Sequence, residues 1–132
     1  DATWCLNCPK CRFTSLMLAP HVTSDRFEVI FGGRPLHDPR QVDGYRELWD
    51  EESKPYECVG EMVESAAAMA ELSTRPEWAN AAVVQALGAE ATRYAEKHQA
   101  SLVSLMTPTS EHRVPEPYLG WMLDRLDPTR AG

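Results

Sequence analysis

Hydrophobic residues recur at spacings of three and four along most of the chain, which is the period of an amphipathic α-helix. The segments that carry this pattern are residues 12–22, 25–32, 39–51, 57–74, 77–87, 89–99 and 118–126. A short apolar run at residues 101–106 suits either a helix or a strand. The pattern predicts a mainly α-helical fold of about five to seven helices with little strand.

Capping and turn residues set the predicted ends of these helices. Ser24 or Asp25 is expected to cap the second helix, and the glycine pair at 32–33 is expected to stop it. Asp38 is a good N-cap for the third helix because a proline follows it at the first helical position. Gly88 is expected to end the helix over 77–87 and to separate it from the next one.

The composition indicates one globular domain. The chain has 132 residues, of which 43% are hydrophobic and 25% are charged, as in ordinary folded proteins. This length suits one compact domain and is short for two, so residues 1–132 are predicted to form a single helical domain. The tryptophans are predicted to anchor the core or an interface, and they are Trp4, Trp49, Trp78 and Trp121.

The charge balance narrows the classes of partner. The formal net charge is -7, with 20 acidic and 13 basic side chains, and the basic residues form no stripe. A nucleic-acid-binding protein needs clustered Lys and Arg to neutralise phosphates, so this class is disfavoured. No apolar run approaches the ~20 residues that span a bilayer, and no secretory signal is recognisable. We therefore expect a cytoplasmic protein that binds neither nucleic acid nor membrane.

Cys5, Cys8 and Cys11 form a Cys-x2-Cys-x2-Cys motif at the head of the chain. Two-residue spacing lets a tight turn direct successive thiolates at one ion, and zinc takes four such ligands tetrahedrally. An iron–sulfur cluster is a weaker alternative, because Thr14 and Ser15 stand where a fourth cysteine of that motif belongs. Oxidised or free thiols are a further alternative to a metal site. We predict a structural zinc knuckle, with residues 1–22 holding the knuckle and the first helix.

The place of this motif in the chain suggests a longer protein. The chain begins with Asp1 rather than methionine, and the cysteine motif starts within its first five residues. Because chain termini fray, a free domain would rarely carry a metal site there. We expect the chain to be the C-terminal part of a longer polypeptide.

Three visible thiols leave a fourth zinc ligand to be found. The candidates are Cys58, a histidine and a thiol upstream of this chain, the histidines being His21, His37, His98 and His112. Cys58 has two other interpretations, a buried apolar side chain or a reactive thiol whose pKa a helix start would lower if it were exposed. These alternatives stay open.

Carboxylates cluster near Cys58 at the start of the helix predicted over 57–74, namely Glu57, Glu61 and Glu64. Acidic residues in a first helical turn complement the helix dipole, which is the simpler interpretation. Alternatively, one of them contacts a substrate or Mg²⁺. The chain contains no P-loop, no GxSxG and no GxGxxG motif, so it shows no complete catalytic constellation.

Several segments together resemble a known family. WCLNCPKCRFTSLMLAPH, IFGGRPLHDP with DGYREL, KPYECVGE and HRVPEPY are similar, in this order, to the C-terminal half of MurL-type UDP-N-acetylmuramoyl-L-alanyl-L-glutamate epimerases. The resemblance runs from Trp4 to about Tyr118. It implies an ATP- and Mg²⁺-dependent isomerase of peptidoglycan synthesis that inverts the terminal L-glutamate of a UDP-muramoyl dipeptide. The family also looks like PP-loop ATPases that hold zinc near a CxxCxxC motif.

The resemblance assigns roles to few residues of this chain. It implies that Cys5, Cys8 and Cys11 are metal ligands and that Cys58 and Glu61 are motif positions, with either one a candidate for the catalytic base. The SGGxDS-type loop that would hold ATP is absent from this chain. An upstream ATP-binding half, in the same protein or in a partner chain, is therefore expected to complete the site. The alternative hypothesis is a non-catalytic zinc-knuckle module that binds another protein.

Overall fold

A computed structural model describes residues 3–54, 60–107, 109, 111 and 113–126. Within these residues all regular secondary structure is helical and no strand is present, which confirms the predicted mainly helical fold class. The α-helices are α1 (Pro9–Leu18), α2 (Ser24–Phe31), α3 (Val42–Arg46), α4 (Met62–Thr74), α5 (Pro76–Ala79), α6 (Ala82–Lys97), α7 (Leu102–Met106) and α8 (Glu116–Leu126). Short 3-10 turns occupy Ala19–His21, Pro35–His37 and Pro39–Gln41. The ambiguous run at 101–106 is thus helical.

The start of α2 differs by one residue from the prediction. Thr23 is the N-cap, since its hydroxyl accepts a hydrogen bond from the backbone N–H of Arg26 at 3.2 Å. Ser24 and Asp25 are wrong as caps, because both already lie within the helix. The end is as predicted: Gly32 adopts a left-handed φ of 71° and its N–H bonds to the Glu28 carbonyl.

The helix predicted over 39–51 is much shorter than expected. Asp38 caps a 3-10 turn, accepting the Arg40 backbone N–H at 3.0 Å, and α3 follows as little more than one turn. Beyond it, the N–H groups of Leu48 and Trp49 bond three residues back rather than four. The chain tightens into turns there, which still buries Tyr45, Leu48 and Trp49 in the core.

Helices α4 and α6 pack along each other and form the centre of the core. Their buried contacts come from Ala66, Ala68, Met69, Leu72, Val83, Val84, Leu87 and Ala91. The prediction that Gly88 ends a helix is wrong, because α6 runs through it without a break. A Cβ at position 88 would lie 2.8 Å from Cβ of Ser73 in α4. Glycine at position 88 therefore allows α4 and α6 to pack closely and does not end the helix.

We expect Gly88→Val to destabilise the domain by about 1–3 kcal/mol, because a branched side chain must push α6 away from α4. Gly120→Ala is the matched control, since a Cβ at that helical position meets nothing within 4 Å. Alanine there should leave stability unchanged or raise it slightly. Urea unfolding curves of both variants measure the difference, and equal midpoints would show that the α4–α6 contact does not depend on Gly88.

An aromatic cluster joins α2 to the centre of the core. Phe27 contacts Phe31 at a ring distance of 4.6 Å and the buried Trp78 at 5.2 Å. Trp49 donates its indole N–H to Glu90. Trp121 differs from these, because its side chain is 63% exposed on α8 with Arg125 over the ring. The prediction of core anchors is therefore confirmed for Trp49 and Trp78.

None of the described helices is long and apolar enough to cross a membrane.

Candidate metal centre

The three motif cysteines converge on one point. The Sγ atoms of Cys5, Cys8 and Cys11 all lie within 4.8 Å of one another, and those of Cys5 and Cys11 are 3.5 Å apart. Cys11 is buried, Cys8 is half-buried and Cys5 is exposed. Sulfur atoms at this separation can contact a common ion, so the residues that the spacing selected do form a cluster.

Local backbone structure produces this arrangement. Cys8 is the N-cap of α1, and its Sγ accepts a hydrogen bond from the Cys11 backbone N–H at 3.5 Å. Pro9 begins the helix with a φ already suited to it. Before the helix, Leu6 has a φ of 57°, which turns the chain back so that Cys5 approaches Cys11. The motif therefore folds as a turn joined directly to a helix start.

Apolar contacts hold this knuckle on the rest of the domain. The Trp4 ring meets Phe31 of α2 edge-on at 5.1 Å. A Cβ at Gly33 would lie 2.7 Å from Cδ1 of Leu6, so glycine makes room for the knuckle at the end of α2. The knuckle therefore packs on α2 and its C-terminal end through Trp4 and Leu6, the residues on either side of Cys5.

The two ends of the cluster differ in acidity. Hydrogen bonding to the Asn7 backbone, and then to Cys8 and Cys11, lowers the pKa of the Cys5 thiol to about 7. Burial raises the pKa of the Cys11 thiol. The thiolate is the form that binds a metal, and the Cys5 thiol loses its proton more readily than the Cys11 thiol.

The donor set fits zinc. Three thiolates match the ligand type of structural zinc sites and leave one tetrahedral position to fill. Of the predicted fourth ligands, the described His21, His37 and His98 do not join the cluster, and no described carboxylate joins it either. Cys58 and His112 lie outside the described residues.

The acidity of Cys5 makes a prediction for chelator-treated protein. Its alkylation by iodoacetamide should rise with pH around a midpoint of about 7, because the thiolate is the reacting form. Buried Cys11 should react more slowly at every pH. Mass spectrometry of digested samples quantifies both sites. A Cys5 midpoint near the ordinary thiol value of about 8.5 would contradict the hydrogen-bonded geometry.

Glu61 stands at the N-cap of α4 with an exposed side chain. Its backbone N–H donates to Oε2 of Glu64 at 3.1 Å, so the Glu64 carboxylate serves as a helix cap. Gly60 before it has a φ of 71° and lies against the Phe13 ring of α1. This contact brings the start of α4 next to the knuckle helix. Glu57 lies outside the described residues.

Sequence reasoning missed a polar latch that joins the knuckle to α3. The Arg12 guanidinium donates through Nε to Oε1 of Gln41 at 2.8 Å and through Nη2 to Oδ1 of Asn7 at 3.0 Å. Gln41 also donates to Asn7 at 3.3 Å. Next to it, the Ser15 hydroxyl and the Tyr45 hydroxyl form a buried hydrogen bond of 2.8 Å. Arg12 and Gln41 are 29 residues apart in the chain, and Ser15 and Tyr45 are 30 apart, separations at which no local pattern pairs them.

Comparison with known proteins identifies relatives of this chain. The profile of the MurL C-terminal domain matches residues 1–102. A UDP-N-acetyl-alpha-D-muramoyl-L-alanyl-L-glutamate epimerase of a Micromonospora species is 42% identical over 116 residues, which are 87% of this chain and 26% of the relative. The enzyme of the same name from Salinispora tropica is 49% identical over 85 residues, 64% of this chain and 19% of the relative.

A third relative of that name, from Xanthomonas oryzae pv. oryzae, is 41% identical over 113 residues, covering 85% of this chain and 25% of the relative. The matched region thus spans about a quarter or less of the length of these relatives. No solved structure matches the chain.

Proposed function

Because the chain belongs to the MurL C-terminal domain family, we propose that it is the C-terminal part of an ATP-dependent epimerase. The enzyme converts the terminal L-glutamate of UDP-N-acetylmuramoyl-L-alanyl-L-glutamate to D-glutamate in peptidoglycan synthesis. The observation that carries this proposal is the match of relatives with that name over most of this chain, at 41–49% identity. The alternative of a non-catalytic interaction module is not favoured, since each of these relatives is named as an enzyme.

The upstream half is the proposed partner of this chain. These relatives extend well beyond the matched region, and the chain lacks the SGGxDS-type loop that would cradle ATP phosphates. ATP and Mg²⁺ are therefore assigned to the upstream part, and no step that involves them is assigned to residues described here. The setting is cytoplasmic, because that is where nucleotide-linked precursors and ATP meet.

Zinc is the proposed resident metal, held by Cys5, Cys8 and Cys11. The support is the donor chemistry: three thiols converge and one of them is buried with a raised pKa. When bound, zinc neutralises the thiolates and cross-links the turn to the first helix turn. The proposed role of zinc is structural, since it fixes the knuckle on α2, next to the start of α4. Zinc takes no part in the inversion of glutamate. Cys58 is the proposed fourth ligand if it is not the catalytic thiol.

The reaction needs a group that removes the glutamate α-proton and one that returns a proton to the opposite face. An α-proton beside a free carboxylate is very weakly acidic, so activation of that carboxylate must come first. Glu61 is a proposed acid–base residue because its carboxylate is exposed at the N-terminus of α4, next to the segment that contains Cys58. Cys58 is the other proposed candidate.

The test uses the protein of the complete reading frame, incubated with the UDP-muramoyl dipeptide, ATP and Mg²⁺. Acid hydrolysis followed by chiral chromatography measures the glutamate released. We expect D-glutamate to accumulate only when ATP is present. If glutamate stays in the L form under every condition while the substrate is shown to bind, the epimerase proposal is wrong.

A further inference from the structure

Arg12 carries a charge that no carboxylate in the described chain neutralises. Arg12 directly follows Cys11 of the knuckle, and the acceptors of its guanidinium among the described residues are the neutral amides of Asn7 and Gln41. Among the described residues, the other two half-buried arginines each pair with a carboxylate. Arg46 pairs with carboxylates at 2.9 and 3.2 Å, and Arg75 pairs with Glu71 at 3.0 Å. Partial burial of a cation without an anion is unfavourable, so an external anion would complete this site.

The guanidinium is also held in a fixed orientation. Two of its five N–H donors are used by the amides, which leaves three that bond to no described residue. A fork fixed in this way loses little conformational entropy when it binds a planar or tetrahedral oxyanion. The rigidity is what distinguishes Arg12 from exposed surface arginines such as Arg26 and Arg93.

Gly44 makes this placement possible. A Cβ at position 44 would overlap the Cζ, Nε and Nη1 atoms of Arg12, so the guanidinium lies directly on the backbone of α3. Glycine inside a short helix is unfavourable for helix formation, and Gly44 has no left-handed φ that would require it. The residue is explained by the close approach of Arg12 rather than by the conformation of the helix.

We propose that Arg12, oriented by Asn7 and Gln41 on Gly44, binds an oxyanion of the substrate beside the knuckle. The ligand chemistry is a phosphate or carboxylate group that takes the free N–H donors of the guanidinium. This inference rests on the proposed function for the identity of the ligand, because a UDP-muramoyl dipeptide carries both kinds of group. Arg12 is a binding residue in this account and takes no part in proton transfer.

Calorimetric titration of the protein of the complete reading frame with UDP-N-acetylmuramoyl-L-alanyl-L-glutamate tests the inference without depending on turnover. We expect Arg12→Gln to weaken binding about tenfold or more, because a charge-assisted contact is lost. Arg12→Lys should restore only part of it, since an ammonium cannot form the bidentate fork. Arg40→Gln is the matched control: Arg40 is an exposed arginine paired with Asp38, and its loss should leave binding unchanged.

Gly44→Ala separates binding from folding. The substitution keeps the charge of Arg12 and favours the helix. Its Cβ moves the flexible end of the Arg12 side chain away from the backbone of α3. We expect weaker binding with an unchanged melting temperature and zinc content. Competition by UDP and by L-alanyl-L-glutamate then identifies the source, because the fragment whose affinity falls in Arg12→Gln carries the anion.

Three results would overturn the inference. The first is wild-type affinity in both Arg12→Gln and Gly44→Ala. The second is a loss of binding in these variants that only follows a loss of stability and zinc, which would make Arg12 a purely structural latch. The third is failure of the wild-type protein to bind any of the three compounds. Binding without production of D-glutamate would instead contradict the proposed function alone.

Discussion

Replacing Cys11 with serine is expected to abolish binding of the proposed zinc and to lower the melting temperature by about 10–20 °C. Cys11 is 7% exposed, and its Sγ lies 3.5 Å from that of Cys5, so it occupies the interior position of the cluster. A serine hydroxyl of similar size fills the space but does not ionise at neutral pH and binds zinc weakly. If zinc is present at about a thousand times its dissociation constant, its binding stabilises the fold by about 4 kcal/mol.

Elemental analysis of protein purified without chelators gives the metal content, and calorimetry gives the melting temperature. Thr14→Ser on the exposed side of the same helix is the control, and it should keep both values. Zinc retention by Cys11→Ser would contradict the assignment of this thiol as a ligand. Iron in place of zinc would indicate the cluster alternative.

Cys58→Ala resolves the fourth ligand in the same measurement. Loss of zinc would make Cys58 a ligand and remove it from the candidates for the catalytic base. Full zinc content would leave the fourth position to His112 or to a residue upstream, and would keep Cys58 as a candidate catalytic thiol. The described histidines are excluded from the cluster by their positions.

Replacing Glu61 with glutamine is expected to slow exchange of the glutamate α-hydrogen by two to four orders of magnitude, about the contribution of one acid–base group. The variant keeps the size of the side chain and removes only its ionisation. The helix should survive, because the glutamine amide oxygen can still accept the Glu64 backbone N–H of the capping box, and the Glu61 backbone N–H still donates to the Glu64 carboxylate. The measurement is the exchange rate in the protein of the complete reading frame, at saturating substrate and ATP.

Glu64→Gln provides the matched control one helical turn away. Its amide oxygen can still accept the Glu61 N–H, so the cap is retained while a carboxylate is lost. We expect this variant to exchange at nearly the wild-type rate. Equal losses in both variants would indicate a general electrostatic effect at the start of α4, and an unchanged rate in Glu61→Gln would transfer the role to Cys58 or to the upstream half.

Local signals predicted the parts of the fold that depend on neighbouring residues. The 3.6-residue period identified the helical class, and Gly32 ended α2 as expected. Predictions failed where contacts distant in sequence decide the outcome. Glycine often ends a helix, yet Gly88 lies inside α6, where it packs against Ser73. The helix predicted over 39–51 is divided into a 3-10 turn, the short α3 and further turns that bury Leu48 and Trp49.

The same difference between local and long-range contacts holds for the candidate site. Spacing alone brought Cys5, Cys8 and Cys11 together correctly, because a turn and one helical turn determine their geometry. The latch of Arg12 with Gln41 joins residues 29 apart in sequence, and a periodic pattern carries no information about such a pair. Arg12 follows Cys11 directly, and that adjacency to the knuckle was the only signal in the sequence that pointed to it.

Solvent-deuterium incorporation at the glutamate α-carbon tests the epimerase proposal at the atom whose configuration is expected to change. The 132-residue chain alone and the protein of the complete reading frame are each incubated in D₂O with the UDP-muramoyl dipeptide, ATP and Mg²⁺, and mass spectrometry follows the added deuterium. We expect ATP-dependent incorporation with the complete protein and none with this chain alone. Incorporation by the chain alone would contradict the need for an upstream half, and no incorporation by the complete protein would contradict the epimerase assignment.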